Sequence, residues 1–282
     1  MRELIYLFDG SFAGFLCCIF ESYDKKEVPT ALCGGEEPPL SLFDQRSIRT
    51  DPALARRVYR GLYKKDPQAA RLIQRAFLCA FPNRNYALYR LCMRVFREGS
   101  GFLRNRADPD AYPVLRAVRA LSAEAENYRG FVRFSELGGV LGSEIEPKNR
   151  VLPIIAPHFC GRHQNERFFI YDRTHREILL YSDGRSRICL LDQFQMAAPD
   201  RQEAAFRCLW KRFYDTIAIR ERENPRCRMT HMPKRYWNTM TEFQDAEWFR
   251  AKEAPADAAV PAVPGGKSEP GIPPGSVPSA PG

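Results

Sequence analysis

The stretch that decides the fold class is residues 130–191, GFVRFSELGGVLGSEIEPKNRVLPIIAPHFCGRHQNERFFIYDRTHREILLYSDGRSRICLL. Its β-branched and aromatic runs predict strands at 131–137, 140–145, 168–172, 178–181 and 188–191, with a tight turn at Asp183–Gly184. A short helix is predicted at 153–163. Because the strands are grouped after helices and do not alternate with them, the pattern indicates an α+β fold with a small, mainly antiparallel sheet and flanking helices.

The residues before this stretch are mainly helical. A strand is predicted at 2–8 and an apolar helix at 12–23, whereas 24–50 lack sustained periodicity and predict a long loop. Apolar residues recur at intervals of three and four in 51–65, 67–81, 85–98 and 110–128. These repeats predict a central block of four helices with Asp51, Asp66 and Asp110 as N-caps, and a further amphipathic helix is predicted at 200–221.

Composition predicts one domain and a cytoplasmic protein. Residues 251–282 are rich in Pro, Ala and Gly and predict a disordered tail, so residues 1–250 form the expected single domain. The chain opens without a secretion signal, and its longest apolar run, near 12–20, is too short to span a membrane. The nine cysteines include no C-x-x-C pair, so we expect reduced thiols, no metal and no cofactor.

The charge balance favours a polyanionic partner. Lys and Arg number 43 against 34 acidic residues, and 34 of the 43 are Arg, whose planar fork grips phosphate. Residues 1–252 carry 42 basic and 31 acidic residues, a net charge of +11. Codon usage in a GC-rich genome can produce the same bias towards Arg. DNA, tRNA and an acidic protein all remain compatible with this charge.

Residues 224–243, NPRCRMTHMPKRYWNTMTEF, place cations beside aromatic rings. Such a segment suits nucleic acid, because cations neutralise phosphates and rings stack on bases. Pro225 and Pro233 make one long helix here unlikely, so the surface would be carried on a loop. Alternatively, the segment anchors its aromatic residues in the core. The nucleic-acid reading assigns binding to Arg226, Arg228, Lys234, Arg235, Tyr236 and Trp237.

A second candidate site lies in the middle block, where His158, Arg162, His163 and Arg167 fall at a helix-to-strand junction. These residues could hold phosphate, contact bases or move protons. The alternative is that His158 caps or packs a short helix while the arginines are solvated. Only Cys160 and His163 share a helix face as a ligand pair would, and zinc requires at least three protein ligands, so no metal site is predicted.

Asp9, Gly10 and Ser11 follow the first predicted strand and precede a helix. Backbone N–H groups and a hydroxyl in this place can hold phosphate, but ordinary N-capping explains the same residues. Asp172 and Glu242 could act as general bases or simply pair with neighbouring arginines. Motifs of P-loop nucleotide hydrolases, common serine and zinc hydrolases and zinc deaminases are missing from the sequence.

Three blocks together resemble a bacterial family of DNA metabolism proteins built on a domain of unknown function. They are FDGSFAGFL at 8–16, LPIIAPHFCGRHQNERFFIYDRTHREILLY at 152–181 and MPKRYWNTMTEF at 232–243, and the resemblance covers residues 1–249. It implies a role in DNA repair beside a radical SAM DNA modification or repair protein. Some relatives are fused to a uracil-DNA-glycosylase-like module, which would act here in trans.

Two hypotheses follow from these residues. The first is a DNA-repair accessory protein that binds DNA through Arg162, His163, Arg167 and the 234–237 segment, and presents it to a radical SAM partner. The second is a glycosylase- or nuclease-like enzyme that uses His158 or His163 with Asp9, Asp172 or Glu242. A histidine–carboxylate pair in a concave pocket favours the enzyme, whereas a flat surface lined by arginine favours the accessory role. A purely structural scaffold for the partner ranks third.

Overall fold

The computed structural model describes residues 4–35, 43–196, 200–217 and 224–243, so the predicted tail at 251–282 lies outside the described residues. Within these ranges the chain has the predicted α+β fold. The strands are β1 (Leu4–Phe8), β2 (Ala31–Gly34), β3 (Asp44–Ser47), β4 (Ser135–Leu137), β5 (Val140–Ile145), β6 (Phe168–Asp172), β7 (Glu177–Ser182) and β8 (Arg185–Leu190). The helices are α1 (Phe12–Asp24), α2 (Pro52–Lys65), α3 (Pro67–Phe77), α4 (Arg84–Glu98), α5 (Ala111–Phe131), α6 (Leu152–Arg162), α7 (Arg201–Ile217) and α8 (Pro225–His231).

A three-stranded parallel sheet, in the order β2-β1-β3, forms the N-terminal part of the fold. Ile5 lies opposite Ala31 on one side of β1, and Leu4 lies opposite Asp44 on the other. The prediction of a long loop over 24–50 is therefore wrong, because two four-residue strands within it pair with β1. The helix α1 contacts β1 and α2, and α4 contacts β2.

Aspartate side chains begin the helices of the central block. Asp51 and Asp66 each accept a hydrogen bond from the backbone N–H two residues further on, at 2.7 and 2.6 Å, which confirms both as N-caps. Asp110 occupies the N-cap position of α5 as predicted, but its side chain makes no capping hydrogen bond. Asp108 instead accepts a 3.0 Å bond from the backbone N–H of Ala111, the first residue of α5.

The second sheet has five strands in chain order, from β4 to β8. Three neighbouring pairs are antiparallel, but β5 and β6 are parallel and are joined by α6. Asp183 and Gly184 have φ of 51° and 75°, the two positive angles of a tight hairpin turn, and they connect β7 to β8 as predicted. The strand β8 is an edge strand.

The buried apolar side chains form two clusters. The first contains residues between Tyr6 and Val114 and lies between the first sheet and the helical block. The second contains residues between Cys79 and Met240 and lies between α5, α6 and the second sheet. Phe81 and Val118 pack against both clusters and so connect them. Among the described residues, no helix has the length and apolarity needed to cross a bilayer.

Candidate nucleic-acid interface

An open cleft of about 750 Å³ lies beside the second cluster and is the candidate site. Its walls come from the end of α5 and the residues after it, from the end of α6, and from one face of α7. The cleft brings together Arg162 and His163, which the sequence singles out, and aromatic residues of α7, which it does not. Thr241, near the end of the basic aromatic segment, also lines the cleft.

The helix α7 is attached to the second sheet by charged residues. Glu203 and Arg207 are its buried side chains, and their Oε1 and Nε atoms lie 2.7 Å apart. Arg207 also donates to the hydroxyl of Ser135, while Glu203 accepts a 3.2 Å bond from the backbone N–H of Glu136. A buried ion pair and two further hydrogen bonds therefore hold this helix on β4.

The face of α7 next to this buried pair is apolar and exposed. Its side chains recur at helical spacing, so they form one continuous stripe along the helix. Part of the stripe lines the cleft and part continues beyond it. Trp210 is fixed in place by a 3.2 Å bond from its indole N–H to Glu242. The stripe consists of Phe206, Leu209, Trp210, Phe213 and Ile217.

Arginines dominate the polar lining of the cleft. Arg133 pairs with Glu242 at 2.7 Å, and Arg129 pairs with Glu126 at 2.7 Å. Within the described ranges no acid pairs with Arg162, and the buried Nε of Arg129 has no hydrogen-bond partner. Among the described lining residues the single carboxylate is Glu203, which Arg207 already neutralises. Of the four arginines that line the cleft, three pair with a carboxylate, and Arg162 is the one with no acid partner in the described part of the chain.

Of the four predicted residues of the middle block, Arg162 and His163 line the cleft, whereas His158 and Arg167 lie outside it. The Nδ1 atom of His163 is hydrogen-bonded to the carboxylate of Glu166, and its ring packs edge-on against Phe134 with centroids 5.0 Å apart. His158 is exposed and packs edge-on against the neighbouring Phe159 ring. Arg167 is exposed as well, and it does not line the cleft.

Residues 224–243 form α8 and two 3-10 segments, Lys234–Thr239 and Thr241–Phe243, that pack against the second cluster. Tyr236 is only 1% exposed and packs between the rings of Tyr128 and Phe131, with centroid distances of 5.0 and 5.1 Å. Its ring offers no face to a base. Tyr236 therefore anchors the segment in the core, which is the alternative to nucleic-acid binding, and we leave this residue out of the proposed DNA-binding surface.

The other aromatic residue of this segment is also engaged within the protein. Trp237 stacks on Phe243 with ring centroids 4.4 Å apart. Arg228 and Lys234 lie 5.6 and 5.8 Å from the centroid of Trp237. Both cations remain exposed, as does Arg226.

Arg235 lies on the same segment, where its guanidinium hydrogen-bonds to the hydroxyl of Tyr236 and pairs with Glu124 at 3.4 Å. The segment therefore presents cations to solvent, while its Tyr236 ring is buried and its Trp237 ring is partly buried.

Asp9, Gly10 and Ser11 form the cap of α1. Ser11 accepts a 2.9 Å bond from the backbone N–H of Gly14, while Asp9 accepts bonds from the hydroxyls of Ser11 and Thr50 at 2.7 and 2.8 Å. Burial acts to raise the pKa of Asp9, but these bonds outweigh it and lower the pKa. Gly10 has φ of +78°, which favours glycine. This geometry matches the capping alternative.

Asp172 and Glu242 are both bonded within the protein. Asp172 is buried and accepts bonds from the backbone N–H groups of Thr174 and His175, each at 3.0 Å. Its Oδ2 atom also lies 2.7 Å from Nδ1 of His175. The sequence analysis did not single out His175, although its position three residues after Asp172 was a signal that could have found it. This pair closes the turn between β6 and β7. Glu242 forms an ion pair with Arg133, which agrees with the alternative that this carboxylate pairs with a neighbouring arginine.

The described residues include no group of three His, Cys, Asp or Glu side chains that could hold a metal. Burial raises the pKa of several thiols, to about 11 for Cys79, so these cysteines stay protonated near neutral pH. The cysteines with a raised pKa are Cys17, Cys18, Cys79, Cys92 and Cys160.

The cleft combines arginine side chains with exposed aromatic rings, and this combination suits the binding of an anion that also carries flat apolar groups.

Comparison with known proteins adds a family. A family model described as a domain of unknown function, DUF4130, matches residues 82–242. This range exceeds half of the 282-residue chain and contains every element that lines the cleft. No curated protein and no solved structure matches the chain significantly.

Proposed function

Because the chain belongs to the DUF4130 family, whose description names no reaction, we propose its function from the cleft: a DNA-binding accessory protein of DNA repair. The observation that carries this proposal is the cleft itself, which combines arginines from α5, α6 and α7 with exposed aromatic rings. Arginine forks hold phosphates, and aromatic faces accept bases.

The resemblance of residues 8–16, 152–181 and 232–243 to DNA metabolism proteins supplies the context of the proposal. In this context the protein binds DNA and presents it to a radical SAM DNA modification or repair enzyme. A uracil-DNA-glycosylase-like protein would act on the same DNA in trans. The proposal assigns the protein itself the binding step alone.

The cleft and the basic segment are physically connected, which extends the proposed DNA path. Glu242 bonds both Arg133 and Trp210, which line the cleft. The next residue, Phe243, stacks on Trp237 beside Arg228. DNA leaving the cleft along this side would therefore meet the exposed cations of the 224–243 segment.

Replacing Arg162 tests the proposal, because this side chain is exposed and no acid in the described part of the chain pairs with it. We expect Arg162→Ala to weaken the binding of a short labelled DNA and to lower the slope of log K against log salt by roughly 0.7 to 0.9. The matched control is Arg60→Ala, an exposed arginine on α2 that makes the same change in net charge. Equal affinities and slopes for the two variants would refute the role of the cleft.

A DNA-acting enzyme is the second candidate, and the His163–Glu166 pair favours it. The carboxylate orients the imidazole in the cleft, as a general base requires. The test is product analysis of the binding samples with undamaged and uracil-containing DNA. Base release or strand cleavage that disappears in His163→Gln would establish the enzyme, whereas bound DNA recovered intact would support the accessory role.

A further inference from the structure

We propose that the cleft takes single-stranded or extrahelical nucleotides, whose bases stack on the exposed aromatic stripe of α7. This inference rests on the proposed DNA-binding function and names the form of DNA that the site recognises. It places the stacking residues on α7, at Phe206, Trp210 and Phe213, and not on the segment that contains Tyr236 and Trp237.

The orientation of α7 is the first observation behind the inference. An amphipathic helix on a protein surface normally buries its apolar face and exposes its charges. Here the buried side chains are Glu203 and Arg207, while Phe206, Trp210 and Phe213 are 57%, 42% and 53% exposed. In the described part of the chain these three rings, which share one face, stay in contact with water, and a ligand that covered them would remove this contact.

The charge of the cleft lining indicates which ligand covers these rings. Arg129, Arg133 and Arg162 line the same cleft as the stripe. Arg133 lies 5.9 Å from the centroid of the Trp210 ring, and Arg162 has no acid partner in the described part of the chain, so its guanidinium is open to a phosphate. A ligand with negative charge on one edge and flat rings on the other complements both the arginines and the stripe. A nucleic-acid strand has this form, because phosphates follow one edge and bases project from the other.

The strand must be unpaired for this contact to form. In a duplex the base faces are stacked on one another, so a protein ring reaches them only when a base is unstacked or flipped out. A cleft of about 750 Å³ has the size of a small-molecule site and holds individual nucleotides, not a double helix. The indole of Trp210 is already held by Glu242, so this ring is oriented before a base arrives.

Fluorescence of Trp210 in the full-length chain tests the inference directly. The chain contains three tryptophans, so the variant Trp237→Phe with Trp248→Phe leaves Trp210 as the one emitter. We expect a 12-nucleotide single strand to quench this emission. A blunt hairpin with the same number of nucleotides, all of them paired and with a polyethylene glycol linker in place of the loop, should leave it unchanged. Anisotropy of the labelled strand, with the native tryptophans in place, gives a second measurement that does not depend on this variant.

The anisotropy measurement compares Phe206→Ala and Phe213→Ala with a matched control. Loss of one stacking ring should weaken single-strand binding about 5- to 100-fold and leave hairpin binding unchanged. The control is Tyr112→Ala, which removes an exposed ring on α5 about 25 Å along the helix from Arg129. This variant should bind as the parent does.

The outcomes separate this inference from the proposed function. One outcome is that the hairpin and the single strand bind equally, Arg162→Ala weakens both, and neither quenches Trp210. The proposed DNA binding then stands, but the single-strand inference is wrong. If Trp210 emission changes with protein concentration alone, together with a dimer in sedimentation, a second copy covers the stripe and the inference is again wrong. If neither DNA binds at low salt, both proposals are refuted.

Discussion

The variant Arg207→Met should release α7 from the second sheet while the rest of the domain stays folded. The side chains of Glu203 and Arg207 are each 10% exposed, and Arg207 also donates to Ser135. Removing one member of a buried ion pair costs roughly 3 to 5 kcal/mol, and the remaining exposure of this pair favours the lower end, about 3 kcal/mol. Local opening is then opposed by the contacts of α7 with the Thr241–Phe243 segment, which include the bond from Trp210 to Glu242 and the contact between the Tyr214 and Phe243 rings.

Hydrogen exchange measures this local opening. A loss of about 3 kcal/mol should lower the protection of α7 amides by about 100-fold, whereas amides of α3, in the first cluster, should keep theirs. The double variant Glu203→Leu with Arg207→Met removes both charges and should recover most of the protection. Unchanged protection of α7 in the single variant, or an equal loss in α3, would refute the reasoning that the ion pair holds the helix.

Substitutions at four further positions test other parts of the structure. Tyr236→Ala should cost about 3 to 5 kcal/mol of unfolding free energy, because it empties a fully buried site, whereas Tyr236→Phe should cost about 1 kcal/mol; denaturant titration distinguishes them. Asp51→Ala should cost about 1 kcal/mol in the same titration through loss of the α2 cap, and no change would argue against that cap. The lowered pKa of Asp9 contributes stability above its unfolded pKa that is lost as the pH falls through the folded value, so Asp9→Asn should flatten the acid side of the stability profile. Burial raises the pKa of Glu177, so the sign is opposite: Glu177→Gln should stabilise the protein at pH 7, and this gain should vanish below the ordinary pKa of glutamate.

The sequence predicts the elements that have a strong hydrophobic period and misses those that are held by backbone pairing alone. The helices of the central block and four strands of the second sheet fall near their predicted places. The strands β2 and β3, with sequences ALCG and DQRS, have neither length nor alternation, so no side-chain pattern marks them. They are strands because β1 lies between them and supplies their hydrogen-bond partners.

The candidate site is harder to predict. Amphipathic periodicity shows which residues share a helix face, but it does not show which face packs against the protein and which faces solvent. The pattern of α7 is clear in the sequence, and the usual expectation buries its apolar face. The structure buries Glu203 and Arg207 instead, since Ser135 and the backbone of Glu136 satisfy their polar atoms. The proximity of Arg162 to this helix depends on long-range packing that no local spacing records. The 224–243 segment is conspicuous in composition, yet its Tyr236 is a core residue.

The two clusters of buried side chains have a consequence for synthesis of the protein. Every member of the first cluster lies between Tyr6 and Val114, so this part of the core can assemble once the N-terminal half has left the ribosome. The second cluster needs Tyr236 and Met240, which are translated after all its other members. We therefore expect nascent chains that end near residue 200 to resist protease in their N-terminal half and to be cut in the second sheet. The cleft, which includes Thr241, then forms only after the first cluster and the second sheet have been translated.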